Sequence, residues 1–226
     1  MKLSNKILIG FFGFIFFYMT AAFTEMRLKG DLNRIGEHGG ILETAELGSI
    51  GYVKVSDLLQ RVTITGADNP GIEVKSKTGQ ALQSLEYEIV GDTLILKRFN
   101  LGKGNPAAIT LLLKDRAFRG LEVRDTHVTL KRLAQDSLTV AQSGGQIWLD
   151  KANRIKQLKV EAQDQAELFI YNELENLELE TVNAQIVVQS TVGVLSGRIS
   201  SQSELVASGP EEVQLKRDSS SDFRFY

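Results

Sequence analysis

Between residues 121 and 207 the chain alternates apolar and polar positions in short, repeated bursts. One set reads Leu121-Glu-Val123, Leu138-Thr-Val140, Leu158-Lys-Val160, Leu177-Glu-Leu179 and a degraded Leu195-Ser-Gly197, spaced roughly 17 to 20 residues apart. About 7 to 10 residues after each comes a second burst: Val128-Thr-Leu130, Ile147-Trp-Leu149, Leu168-Phe-Ile170, Ile186-Val-Val188 and Leu205-Val-Ala207. Alternation with a period of two is the mark of a strand, so each copy predicts two short strands and two turns. A unit of that size cannot close a core alone, and copies must stack to bury one another's apolar sides. The pattern predicts an all-β, single-stacked β-solenoid, a β-helix-like domain preceded by one N-terminal transmembrane or signal helix.

Upstream, strands are expected at Tyr52 to Ser56, Arg61 to Thr65, Gly71 to Ser76, Leu85 to Val90, Thr93 to Lys97, Ala108 to Leu113 and Gly120 to Arg124. Turn-forming Gly66-Ala-Asp-Asn-Pro70 and Gly91-Asp92 punctuate them. Phe99 to Pro106 reads as a loop, and one more strand is expected at Val213 to Lys216. The domain expectation is a signal-anchor helix over 1–23, a juxtamembrane linker over 24–50 with room for one strand near Ile41, the solenoid over 51–217, and a flexible tail over 218–226. A solenoid needs capped ends to avoid edge pairing, and the Ser-rich tail is expected to act as a cap that frays.

Parity assigns faces. In the first strand of each copy, Glu122, Thr139, Lys159, Glu178 and Ser196 lie between the apolar positions and should meet water. In the second strand the in-between residues are Thr129, Trp148, Phe169, Val187 and Val206, an outward ladder that is largely apolar. Two arrangements fit it. Another sheet or the N-terminal strands cover it, or it is an interaction surface. In the second case the candidate face is Trp148, Phe169, Tyr171, Val187 and Val206. Its rings could dock a protein or stack on a glycan beside Gln146, Asp150, Glu167, Gln185 and Gln189. A one-residue error of register would exchange the two faces.

Residues 7–23 (ILIGFFGFIFFYMTAAF) are uncharged and apolar, preceded by Lys2 and Lys6 and followed by Glu25, Arg27 and Lys29. Seventeen residues is at the short end of a membrane span. The run exceeds the usual apolar core of a secretory signal, although Thr20-Ala-Ala22 is a tolerable cleavage site. The run predicts a single-pass membrane protein with a cytoplasmic N-terminus and an extracytoplasmic domain. Secretion after cleavage is the alternative.

A net charge of -2 gives no basic excess and argues against nucleic acid as a partner. Zero cysteines exclude disulfides, thiolate chemistry, Cys-based zinc sites and lipoprotein acylation. Only His38 and His127 are present. By parity Asp125 and His127 share a strand face, a spacing that is ordinary for solvated surface. Glu122, Glu161, Asp164, Glu167, Glu178 and Glu180 offer acids for glycoside cleavage, which needs two carboxylates across a groove, yet no spacing selects a pair. Gly102-Lys-Gly104 lacks the strand-to-helix context of a phosphate loop. No catalytic, cofactor or metal residue is assigned. The expected partners are the membrane through residues 7–23 and an envelope protein or glycan. A carbohydrate-active lyase or glycosidase on a β-helix scaffold is the alternative to a non-enzymatic module, and a signalling accessory working through the anchor is a third idea.

The order of features resembles the GIN-domain family of adhesin-like head domains. The likeness rests on the apolar anchor, the strands around Val62-Thr-Ile64 and Gly91-Asp-Thr-Leu-Ile-Leu96, and units such as Ser143-Gly-Gly-Gln-Ile-Trp-Leu149. It covers roughly residues 50 to 215. Asp125-Thr-His127 and Asn183-Ala184 depart from the Ser-Gly-small turn of that pattern. The resemblance implies a β-solenoid of bacterial cell envelopes, with the bacterial inner membrane as the membrane and the domain periplasmic, and it transfers no catalytic residue.

Overall fold

The computed structural model describes residues 40–77, 79–101 and 107–226, together with the isolated position 19. The expected membrane or signal helix and the first part of the expected linker otherwise lie outside the described residues. Among the described residues no helix is long and apolar enough to cross a membrane. Two compact units divide after Gly39, and every strand among the described residues belongs to the second, Gly40–Tyr226.

This unit opens with β1 (Ile41–Glu46), β2 (Tyr52–Ser56), β3 (Val62–Gly66), β4 (Gly71–Ser76), a 3-10 turn (Leu82–Ser84), β5 (Leu85–Val90), β6 (Thr93–Phe99) and β7 (Ala107–Leu113). Six coils of one plan follow. They are β8 (Gly120–Arg124) with β9 (His127–Lys131), β10 (Ala134–Ser143) with β11 (Gln146–Leu149), and β12 (Arg154–Gln163) with β13 (Glu167–Ile170). After them come β14 (Leu174–Val182) with β15 (Gln185–Val188), β16 (Val192–Ser200) with β17 (Glu204–Ala207), and β18 (Glu212–Arg217) with β19 (Asp222–Phe225). The first member of each coil adds to one parallel sheet and the second to another, so the all-β solenoid follows from the alternation in the sequence.

The two sheets face each other across a core fed by the apolar positions. Leu138, Leu158, Leu177 and Leu195 stack in register on one side, with Ile147, Leu168, Ile186 and Leu205 on the other, all at most 2% exposed. Removing such side chains from water is the main favourable term holding the coils together, at roughly 25 cal/mol per Å² of apolar surface.

One register differs from expectation. Leu121 sits beside Val140 rather than Leu138, and Glu122 beside Ala141 rather than Thr139. A coil needs 18 to 20 residues to return to the same height, and Leu121 to Val140 is 19 residues where Leu121 to Leu138 is 17. Leu121 and Val123 remain in the core, because a shift of two preserves the face.

Turns between the two strands of a coil are built on left-handed residues in every coil from β8–β9 to β16–β17. Two-residue turns place Asp125, Gly144 and Asn183 at φ 44°, 66° and 54°, and Asp, Asn and Gly tolerate that region best. Asp125 therefore belongs to a turn and does not share a strand face with His127, which opens β9. Next in each turn is a small residue, Thr126, Gly145, Ala166, Ala184, Ser203 or Ser221, and all but Gly145 are buried. Beneath the Gly144-Gly145 turn the buried Gln142 amide donates from Nε2 to the carbonyls of Gly144, Gly145 and Glu167 at 3.2, 3.1 and 3.1 Å, tying two coils together.

The ends of the stack differ. The β6–β7 coil lies outside β2–β3, while β8–β9 lies on the inner side of β2–β3. Antiparallel β5 then covers β6, and β4 and β1 cover β7, closing the N-terminal end. β1 arises within the segment expected as a linker. At the other end residues 218–226, expected as a flexible capping tail, supply β19, which pairs with β17 over four residues. Asp222-Phe-Arg-Phe225 alternates as the other short strands do, and Phe223 falls beside buried Leu205, so the segment adds a coil instead of covering one.

Candidate functional site

The ladder lies on the outer face of the short-strand sheet. Trp148 is in register with Thr129 and Phe169, Phe169 with Val187, and Val187 with Val206. The column continues beyond both ends of the expected set: Arg224 follows Val206, and Thr129 is preceded by Thr63 and Thr110. Among the described residues no further layer covers it. Trp148 is 38% exposed, and Phe169, Val187 and Val206 are half-buried against one another.

Geometry changes what the aromatic residues can do. Trp148 and Phe169 have centroids 4.7 Å apart with planes tilted by 32°, and Trp148 and Tyr171 are 5.8 Å apart at 25°. Phe169 and Tyr171 both belong to the coil after Trp148. The indole therefore packs against two other rings, and the three form one cluster. This is a ridge of rings in mutual contact continued by aliphatic Val187 and Val206, rather than the row of separate flat rings expected for glycan stacking. Such aromatic contacts add about 0.5–1.5 kcal/mol each beyond area burial.

Polar columns border the ridge. On one side His127, Gln146, Glu167, Gln185, Glu204 and Asp222 are successive register neighbours, and Gln146 Nε2 donates to Glu167 Oε2 at 2.6 Å. Asp150 and Gln189 lie just past the strand ends on the other side, beyond Leu149 and Val188. An apolar centre with a polar rim is the composition of a protein interface. The threonine extension of the column was missed from sequence. Its signal was available, because Thr63 and Thr110 also stand between apolar residues in Val62-Thr-Ile64 and Ile109-Thr-Leu111.

Four of the acids considered for glycoside chemistry, Glu122, Glu161, Glu178 and Glu180, lie on the other sheet, while Glu167 belongs to the rim of the ridge. Glu122, Ala141, Glu161, Glu180 and Arg198 form one outward column beside a groove of about 500 Å³. Glu122 pairs with Lys54 at 2.6 Å, and Lys159 lies 3.3 Å from Glu178 and 3.9 Å from Glu161. These are ion pairs along a solvated strand face, where each is worth little. Asp164 is instead engaged by a turn, its Oδ2 accepting from Ser143 Oγ at 2.7 Å. Among the described residues no group of three or more His, Asp or Glu side chains is placed to hold a metal ion.

No family model and no curated protein matches this chain. Solved structures do. A protein provisionally named an adhesin, from Parabacteroides distasonis, matches over 84% of this chain and 94% of its own, with TM-score 0.60 and 10% identity. A second provisionally named adhesin, from Parabacteroides merdae, matches over 84% and 98% at TM-score 0.50 and 10% identity. A provisionally named lipid-binding protein from Parabacteroides distasonis matches over 82% and 96% at TM-score 0.45 and 14% identity. At these identities the likeness is one of fold, and the chain shares its architecture with the two provisionally named adhesins.

Proposed function

We propose that this chain is a non-enzymatic, adhesin-like binding module of the GIN-domain kind, tethered to a bacterial membrane through residues 7–23 with the solenoid on the extracytoplasmic side. The observation that carries the binding role is the uncovered, in-register ridge of Trp148, Phe169, Val187 and Val206 with its polar rims. The likeness in fold to proteins named as adhesins agrees with it. The uncharged apolar run between Lys6 and Glu25 supports the tether. An envelope protein suits the ridge better than a glycan, because the rings pack against one another and the column continues in aliphatic Val187 and Val206, which suit a packed interface.

The test is co-sedimentation of the full chain, in detergent, with outer-membrane fragments of Parabacteroides distasonis. Wild type should sediment with them, and Trp148→Ser should lower the affinity at least tenfold while the circular dichroism spectrum stays unchanged. The loss of stability expected from that variant is about 1 kcal/mol, from the stacked contacts alone. Undiminished sedimentation by Trp148→Ser would remove the ridge as the binding surface, and unfolding by it would make the ridge part of the core. The tether is tested separately, by sequencing the N-terminus of the mature protein in the membrane fraction, where an intact Met1 or its immediate neighbour is expected.

A further inference from the structure

We propose that the C-terminal coil is an end-on dimerisation surface, pairing antiparallel with the same coil of a second copy of this chain. β18 and β19 are the last strands of their sheets, so a row of backbone donors and acceptors along each has no strand neighbour among the described residues. Their core-facing side chains are also only partly covered, the Arg217 guanidinium lying 5.1 Å from the centroid of the Phe223 ring. Val213 is 41% and Phe225 37% exposed, and Leu215 and Phe223 are partly buried, whereas Leu195 and Leu205 one coil further in are fully buried.

The opposite end carries protective devices in both sheets. There, β1 places Glu43 beside Val74, with its Oε2 accepting from the Ala81 and Leu82 amides at 2.6 and 3.1 Å, and β5 carries an irregularity at Glu86/Tyr87. Inward charge and bulges are devices that stop a sheet edge from recruiting another chain. β18 and β19 continue their sheets with unbroken register and place Val213, Leu215, Phe223 and Phe225 inward, and the inward charge at this end, Arg217 beside Ile199, stands only at the close of β18.

The sequence of the edge says which partner fits. A two-fold axis across the stacking direction reverses strand direction, so a symmetric contact pairs β18 antiparallel with itself. Centred on Gln214, that pairing sets Glu212 opposite the second copy's Lys216 and Val213 opposite the second copy's Leu215. Each relation recurs by symmetry. In β19, Asp222 and Arg224 likewise flank Phe223 with opposite charges. The strands are therefore self-complementary, with charges facing charges on the outer side and apolar residues facing apolar residues within.

Because the chain has no cysteine, a single introduced thiol reports this contact. In the full chain held in detergent, Gln214→Cys should give an intermolecular disulfide under mild oxidation, while Val90→Cys, on the edge strand β5 of the other end, should stay monomeric on a non-reducing gel. Sedimentation equilibrium should show a dimer weakened roughly tenfold by Glu212→Lys or by Lys216→Glu, since each change turns two attractive pairs into repulsive ones. The double variant Glu212→Lys with Lys216→Glu should restore it, which loss of folding would not allow. A monomeric wild type overturns the proposal. So does a dimer that forms no disulfide through Gln214→Cys, or one indifferent to both charge reversals.

Discussion

Gly145 is held to glycine by its backbone. Its φ is 64°, and an added Cβ would stand 2.4 Å from the Thr126 carbonyl oxygen and 2.5 Å from the Thr126 amide nitrogen, atoms of the next coil that cannot swing away. Ala166 and Ala184 occupy the corresponding inner position of other turns without a positive φ, so the constraint belongs to the Gly144-Gly145 turn and not to the column. Gly145→Ala should destabilise the domain by more than about 1 kcal/mol in urea unfolding. Ala184→Gly, which only loosens the unfolded chain and removes one methyl group, should cost less. Equal losses at the two sites would mean that the turn relaxes around the new side chain.

At the scale of the element, the turn joining β18 to β19 is organised by one carboxylate. Asp218 Oδ2 accepts from the Ser201 amide at 2.8 Å, and its Oδ1 accepts from the Ser220 amide and hydroxyl at 3.1 and 3.0 Å. The Ser201 amide is the main reason that its carboxyl is held well below the ordinary value of 3.8, with Ser221 and Ser220 adding to the effect. A lowered folded-state pKa stabilises above the ordinary value and loses that stabilisation as pH falls through the lowered one. Hydrogen exchange at Ser201 and Ser220 should therefore be faster in Asp218→Asn than in wild type at neutral pH, with the gap beginning to narrow only as pH falls below 3.8 and closing well below that value. A gap that persists unchanged in acid would show that the charge of Asp218 is not what fixes the turn. Elements were the level most legible in the sequence. The strands at 52–56, 71–76, 85–90 and 120–124 appear with the bounds that alternation gave them. The pairing of the first repeat was not legible, because Leu121-Glu-Val123 aligns as a triplet with Leu138-Thr-Val140 while the length of the coil sets the true partner two residues on. Nor could the spacing show that the Trp148 ring packs against both Phe169 and Tyr171, since alternation assigns a face and says nothing of ring orientation.

For the whole molecule, stability is close to a sum of coils and of the contacts between neighbouring coils. The same chemical change should then cost differently according to position. Leu158→Ala, in the middle of the stack at 2% exposure, should lose about 2–5 kcal/mol, whereas Leu215→Ala, in the half-covered last coil, should lose less than about 1 kcal/mol in urea unfolding of the same protein. Equal costs would mean that the terminal coil is as well packed as the centre. The order of the coils carries one more consequence, for how the chain assembles itself. Because β2–β3 lies between the later-made β6–β7 and β8–β9, the earliest coil in the polypeptide is an interior one. A growing chain cannot lengthen this stack from a finished tip, as a crystal adds layers to a single face. It must lay one layer above its starting point and then pass beneath to begin the layers below, through the six residues between β7 and β8, where Phe118 is fully buried. Until that passage is made, the underside of the founding layer stays bare, and a ribosome slow to deliver residues 120–131 would leave an open seam in the middle of the future protein instead of at its edge.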